Sequence, residues 1–136
     1  MVSQAGSLAT EGYIPIVHSF SSFLTSRPNE QIYNNSTEDT KIIYSGFLAG
    51  LLPGGPGHSH QAVRDIASMS GINNLEMIQP NSERQVKEFL NYSINSPNNI
   101  YLRFCSIPFE VPNKFDELSK LKKGYGNTIS DGEELC

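Results

Sequence analysis

Cysteine is scarce in this chain: Cys105 and Cys136 are the only two in 136 residues. Their spacing fits neither a zinc ligand set nor a redox C-x-x-C pair, which leaves a buried free thiol at 105 and a tail thiol at 136. Long apolar runs are also missing, and none approaches the ~20 residues of a membrane-spanning helix. No basic stretch followed by an apolar run opens the chain, so no secretory signal is expected. Clustered cations are few. The formal net charge is −4, and only Lys120, Lys122 and Lys123 group together. Binding to nucleic-acid phosphate depends on such clusters, so that function class is set aside. Neither a P-loop nor a dinucleotide fingerprint is present, and no internal repeat is visible. These absences lead to the expectation of a soluble, cytoplasmic protein with no membrane or nucleic-acid partner.

What remains is an ordered alternation. At 136 residues the chain suits one domain, able to bury a core without disulfides or metal, although its hydrophobic share of 38% is low. Met1–Glu11 reads as a short helix of small residues, with Gly12 as its stop. Tyr13–His18 is apolar and β-branched and reads as a strand. Pro15 cannot donate to a ladder, so the strand lies at an edge or begins there. Phe20–Asn34 has helical spacing, with Pro28 opening a second stretch. A polar connection over 34–40 follows, then a strand over Lys41–Gly46. Gly46–Gly57 carries too many glycines and prolines for any regular element. Ser59 is the expected N-cap of a helix over His60–Ser70. Leu75–Ile78 reads as a third strand. Pro80 and Asn81 precede a helix over Ser82–Ile94, with Val86, Phe89, Leu90 and Ile94 on one stripe. Asn98–Cys105 reads as a fourth strand. Strands alternating with helices predict an α/β fold, a mostly parallel sheet between helical layers.

In such sheets ligands bind beyond the carboxyl ends of the strands. Three loops qualify there: one with His18, Phe20 and Phe23, a Gly-rich one with His58 and His60, and one with Arg103. Each has a plain structural reading as well. Phe20 and Phe23 can be core residues, and His58 and His60 can be capping or surface groups. A His-x-His pair can also bind a metal, but no third ligand is apparent, so no metal site is assigned. Arg103 within an apolar strand needs a partner, which can be an internal carboxylate or a substrate phosphate.

Several stretches together resemble the transketolase and deoxyxylulose phosphate synthase families. Ile14–Asn34 (IPIVHSFSSFLTSRPNEQIYN) is similar to their strand, T-F-x-x-F-type turn and R-x-x-E/D-Q-I helix. Leu48–Gln61 (LAGLLPGGPGHSHQ) resembles the loop G-A-G-L-x-x-G-x-D-G-P-T-H-Q. Gly50, Leu51, Gly54, Gly57, His60 and Gln61 match in register. QAVRDIASM, MIQPNS, YLRF and AGSLATEG follow the family's order and spacing, so the similarity covers about residues 1–112. The resemblance implies a thiamine-diphosphate-binding fold of the pyrimidine type. It also implies thiamine diphosphate as a cofactor shared with the diphosphate-binding domain of another subunit, which holds the Mg2+. Phe23 and Phe20 would pack on the aminopyrimidine. His60 would act on the substrate as a hydrogen-bond or acid/base group, with His58 beside it. Arg103 would hold the phosphate of a sugar phosphate. The implied activity is transfer of a ketol unit between sugar phosphates, with the cofactor as electron sink.

The family pattern is not followed throughout. Its aspartate falls on Pro56 and its loop proline on His58. Its essential glutamate would precede the stretch matching Met1–Gly12, together with a first strand. Residues 1–112 are therefore expected to form a pyrimidine-binding domain without that segment. Residues 113–136 are expected to form a linker toward an absent C-terminal domain, because Gly124–Leu135 resembles that domain's start. The expected partners are a diphosphate-binding domain or subunit and further copies of the chain. The alternative is a non-catalytic remnant or interaction module that kept the fold and lost the chemistry.

Overall fold

The computed structural model describes residues 1–107, 124–126 and 132 of the chain. The linker expected over 113–136 thus lies mainly outside the described residues, as does Cys136. The elements run α1 (Val2–Thr10), β1 (Ile16–Phe20), α2 (Ser21–Ser26), α3 (Asn29–Thr37), β2 (Ile43–Phe47), α4 (Asp65–Met69), β3 (Leu75–Ile78), α5 (Glu83–Asn95) and β4 (Asn99–Arg103). All four strands are parallel, in the order β1-β2-β4-β3. β1 is an edge strand and starts one residue after Pro15, so the missing proline donor is harmless.

Alternation along the strands separates two cores. Val17, Tyr44 and Tyr101 face one side, where Val2 and Ala5 of α1, Leu24 of α2, Ile32 of α3 and Met69 of α4 cover them. Ile43, Ile100 and Leu102 face the other side and meet Phe89 of α5. The result is the three-layer α/β/α arrangement expected from the alternation. Ile16, in register with Ile43, is 58% exposed.

Local chemistry explains the element ends. After α1, Gly12 takes a φ of +87° while Tyr13 N–H donates to Leu8 O, a left-handed helix stop. The close approach of α2 to β2 depends on Gly46. A Cβ there would lie 2.5 Å from Ser21 Oγ and 2.8 Å from the Tyr101 ring. α5 begins with a reciprocal cap: Gln85 N–H donates to Ser82 Oγ at 3.3 Å and Asn81 N–H donates to Gln85 Oε1 at 2.8 Å.

Four expectations need correction. The helix expected over His60–Ser70 is confined to Asp65–Met69 and Ser59 does not cap it, because backbone bonds tie Ala62 to Gly50 in both directions. The polar connection over 34–40 is helical as far as Thr37. Leu90 and Ile94 are exposed, so of the stripe read on α5 only Val86 and Phe89 are half-buried. Cys105 is a free thiol but only half-buried. Among the described residues, no helix is long and apolar enough to cross a membrane.

Candidate functional site

The carboxyl ends of β1, β2 and β4 lie side by side. Phe20 is in register with Phe47, and Gly46 with Arg103. α2 starts directly after Phe20, so one helical turn brings Phe23 back over the strand end. The two rings meet edge to face, with centroids 5.5 Å apart. Phe20 also stacks on Phe47 at 4.2 Å, and His18 stacks on the same Phe47 at 5.1 Å. His18 Nδ1 is hydrogen-bonded with Ser45 Oγ at 3.2 Å. Such offset and edge-on pairs add to burial and fix ring orientation.

His60 reaches this cluster from the Gly-rich loop. Its ring lies 5.2 Å from Phe20 and 5.0 Å from Phe23, edge-on to both. The loop is anchored at both ends. Gly50 N–H donates to Ala62 O at 3.3 Å, and Ala62 N–H returns a bond to Gly50 O at 3.0 Å. Gln61 Nε2 donates to Leu51 O at 2.7 Å, and Ala49 N–H donates to Phe104 O at 3.0 Å. Gly50 has a φ of +90°, where a side chain is strained, and a Cβ would also crowd Arg103 at 3.4 Å. Ser59 Oγ occupies His60 Nδ1 at 2.9 Å. Nε2 is therefore the ring nitrogen with no partner among the described residues.

Arg27 closes the other side of Phe23, its guanidinium carbon 3.9 Å from the ring centroid. Beside it opens a cleft of about 290 Å3, between α2 and the segment leading into α4, with His58, Arg64 and Asp65 on its wall. Of the two partners left open for Arg103, the structure supplies the internal carboxylate. Arg103 Nε donates to Asp65 Oδ2 at 2.6 Å and Nη2 to Asp65 Oδ1 at 3.4 Å. Arg103 Nη1 donates to Gln79 Oε1. Tyr101 OH adds a bond to Asp65 Oδ2 at 3.0 Å. Side-chain exposures of 14% for Arg103 and 2% for Asp65 make this a largely desolvated pair. Burial pushes the Tyr101 phenol well above its ordinary range.

The structure thus brings Phe20, Phe23 and His60 into contact and sets His58 in the adjoining cleft. Arg103 lies apart, beneath the loop. Phe47, Arg27, Arg64 and Asp65 were not singled out by the sequence. Arg27 sits inside the quoted R-x-x-E/D-Q-I stretch, whereas Phe47 is placed by its register with Phe20, which only the structure shows. Nothing in the sequence distinguished Asp65 from a solvated helix residue. Among the described residues no group of three or more His, Cys, Asp or Glu could hold a metal ion.

Comparison with known proteins adds independent findings. The family model for the transketolase pyrimidine-binding domain matches residues 1–106. The 1-deoxy-D-xylulose-5-phosphate synthase of Natranaerobius thermophilus is 25% identical over 99% of this chain and 21% of its own length. A putative transketolase C-terminal section from Methanocaldococcus jannaschii is 31% identical over 99% of this chain and 43% of its own length. The solved structure of a split-gene transketolase, described as an inactive beta4 tetramer, superposes with a TM-score of 0.66 at 26% identity, over 75% of this chain and 32% of that one. The chain therefore spans about a fifth to under half of the length of these relatives.

Proposed function

Because the chain belongs to the transketolase pyrimidine-binding-domain family, we propose that it is the pyrimidine-binding part of a thiamine-diphosphate-dependent enzyme transferring a ketol unit between sugar phosphates. The observation that carries this is the Phe20–Phe23–His60 contact at the sheet's carboxyl edge. The residues present fit the apolar half of the cofactor. Phe20 and Phe23 are half-buried, oriented by Phe47 and Arg27, and supply an aromatic wall for a flat aminopyrimidine. When bound, the cofactor supplies the electron sink for the reaction.

His60 has its ring fixed edge-on and its Nδ1 held by Ser59, which leaves Nε2 for a substrate oxygen, as a hydrogen-bond or acid/base group. His58 faces the substrate from the cleft. Arg103 holds Asp65, and through it the cleft wall, so this reading gives it a positioning role. The ring cluster contains no carboxylate, and the described residues offer no metal group. We therefore assign the diphosphate and the Mg2+ to a partner domain or subunit, and the carboxylate for the pyrimidine to the segment that precedes the Met1–Gly12 stretch in the family pattern. The transketolase C-terminal section supports a divided enzyme, as does the split-gene transketolase.

Isothermal titration tests this. Thiamine diphosphate with Mg2+ is titrated into the chain alone and mixed with a diphosphate-binding partner segment. Heat of binding is expected only in the mixture, and Phe23→Ala should weaken it. Absence of binding in both would favour a scaffold that kept the fold without the chemistry.

A further inference from the structure

We propose that the groove between α1 and α3 binds a primary ammonium group carried on an alkyl chain, with Glu38 and the oxygens of Ser7, Thr10 and Asn35 as its acceptors. The groove has a volume of about 420 Å3, and among its described lining residues Glu38 is the one ionisable side chain. α1 leads into β1 and α3 into β2, and these strands are parallel neighbours, so the two helices run in the same direction. They approach each other where Gly6 meets Asn35. Both C-terminal ends therefore lie at the amino end of the sheet, opposite the ring cluster. The groove is thus independent of the function proposed above.

The charge at this end has the wrong sign for the helices. The C-terminal end of a helix carries a partial negative charge and favours a cation. α1 instead ends on Glu11 and α3 on Glu38, with Asp39 following, and neither helix has a basic residue in its last turn. None of these three acids is in an ion pair among the described residues. Lys41, the next cation in sequence, donates to Asn98 O and faces Glu76. Natural sequences keep such local conflicts mainly where function requires them. The neutral groups point the same way. Ser7 Oγ donates to Ser3 O at 3.4 Å and Thr10 Oγ1 to Ser7 O at 2.7 Å, so both protons are spent on the helix and both oxygens remain acceptors. Asn35 is only 6% exposed. Its Nδ2 donates to Val2 O at 3.2 Å and to Tyr44 OH at 3.4 Å, whereas nothing among the described residues donates to its Oδ1. Gly6 keeps that oxygen open, because a Cβ there would overlap it. A buried acceptor without a donor is costly, and a ligand N–H removes the cost. One carboxylate among neutral oxygens matches a group that carries positive charge and only donates, which is an ammonium. The described residues hold no group of three or more His, Cys, Asp or Glu, so a metal ion is not the match.

The test is an amide NMR titration of the 136-residue chain, without cofactor, at neutral pH and constant ionic strength. The probes are diaminobutane, Nα-acetyl-lysine amide and, as a neutral counterpart, butanediol. Saturable shifts centred on Gly6, Ser7, Asn35 and Glu38 are expected with both amines and not with the diol. Tighter binding of the diamine supports the site with a free polyamine as its ligand, and tighter binding of the lysine amide supports it with a partner's lysine. Glu38→Gln should weaken binding about tenfold, the effect of losing one charge-assisted hydrogen bond. Ser7→Leu should abolish binding by filling the groove. Glu30→Gln, at the other end of α3, should not change it. Ser7 and Glu38 are exposed, so well-dispersed spectra of the variants would show that the fold is retained. Glu38→Lys places an ammonium at the same helix end within the chain, and should abolish binding while raising the urea midpoint. Equal shifts with the diol, unchanged affinity in both Glu38→Gln and Ser7→Leu, or shifts scattered over exposed acids elsewhere would overturn the proposal.

Discussion

Two residues show how single positions hold the site. Asp65 is nearly fully buried and receives bonds from Arg103 and Tyr101. Removing one member of a buried ion pair leaves the other charge without compensation, which costs about 3–5 kcal/mol. Asp65→Ala should therefore lower stability by about that amount in urea unfolding, while Arg84→Ala in the exposed Arg84–Glu88 pair should change it by less than ~1 kcal/mol. Gly46 is constrained by volume. Gly46→Ala would press a methyl into Ser21 and Tyr101, at about 1–3 kcal/mol if the neighbours shift only partly. The sequence was informative where residue type and spacing act locally: Phe20, Phe23 and His60 were legible and do meet. It was silent on Asp65, because an acid near a helix start is ordinarily solvated and its partners lie 36 and 38 residues away.

At the scale of elements, the sequence was reliable for strands and weaker for helix ends. Strand placement follows from short β-branched runs, whereas the first turn of α4 was decided by a tertiary contact. Ala62 is drawn into backbone pairing with Gly50, which no local propensity announces. α3 ran past its expected end because its polar residues bond back along the helix. Ser36 Oγ donates to Tyr33 O at 2.6 Å and Thr37 Oγ1 to Asn34 O at 2.8 Å, while Asn35 reaches Val2 O at 3.2 Å. α5 provides a quantitative contrast. Its periodic stripe placed Phe89, Leu90 and Ile94 together, yet only Phe89 packs on the sheet core. Phe89→Ala should cost about 2–3 kcal/mol, below the range for a fully buried ring. Leu90→Lys should cost less than ~0.5 kcal/mol. Ser82→Ala removes the helix cap and should cost about 1 kcal/mol. Chemical unfolding of the three variants checks the order, and an equal loss at Leu90 and Phe89 would contradict this placement of α5.

The whole molecule responds to pH through its central tyrosines. Tyr44 and Tyr101 are neighbours on β2 and β4, fully buried beneath the helical layer that carries α1 to α4. Desolvation pushes Tyr44 up to about 12, against an ordinary value of 10.0, with a smaller opposing effect from the Asn35 bond. Burial raises Tyr101 as well. A raised phenol means that the folded state holds the proton more tightly than the unfolded chain. The stabilisation is thus complete below pH 10 and is lost as pH rises from the unfolded value toward the folded one. Each such group removes about 1.4 kcal/mol per pH unit across that window, so the pair should lower stability by about 2–3 kcal/mol near pH 11. Lys41, whose pKa burial lowers, titrates nearby, so the alkaline loss of the native protein alone does not isolate the phenols. Tyr44→Phe does isolate one of them: it retains Lys41 and Tyr101, and Asn35 retains its bond to Val2 O. Urea unfolding at neutral and alkaline pH should show about half the alkaline loss in Tyr44→Phe. Four other tyrosines are exposed, so the signal of the buried phenol is the part of the tyrosinate absorbance that Tyr44→Phe removes, and that part should appear together with unfolding rather than before it. An identical alkaline loss in the variant, or the absorbance that the variant lacks forming in the still-folded protein, would mean that the sheet's centre does not exclude water as the packing of these two rings requires.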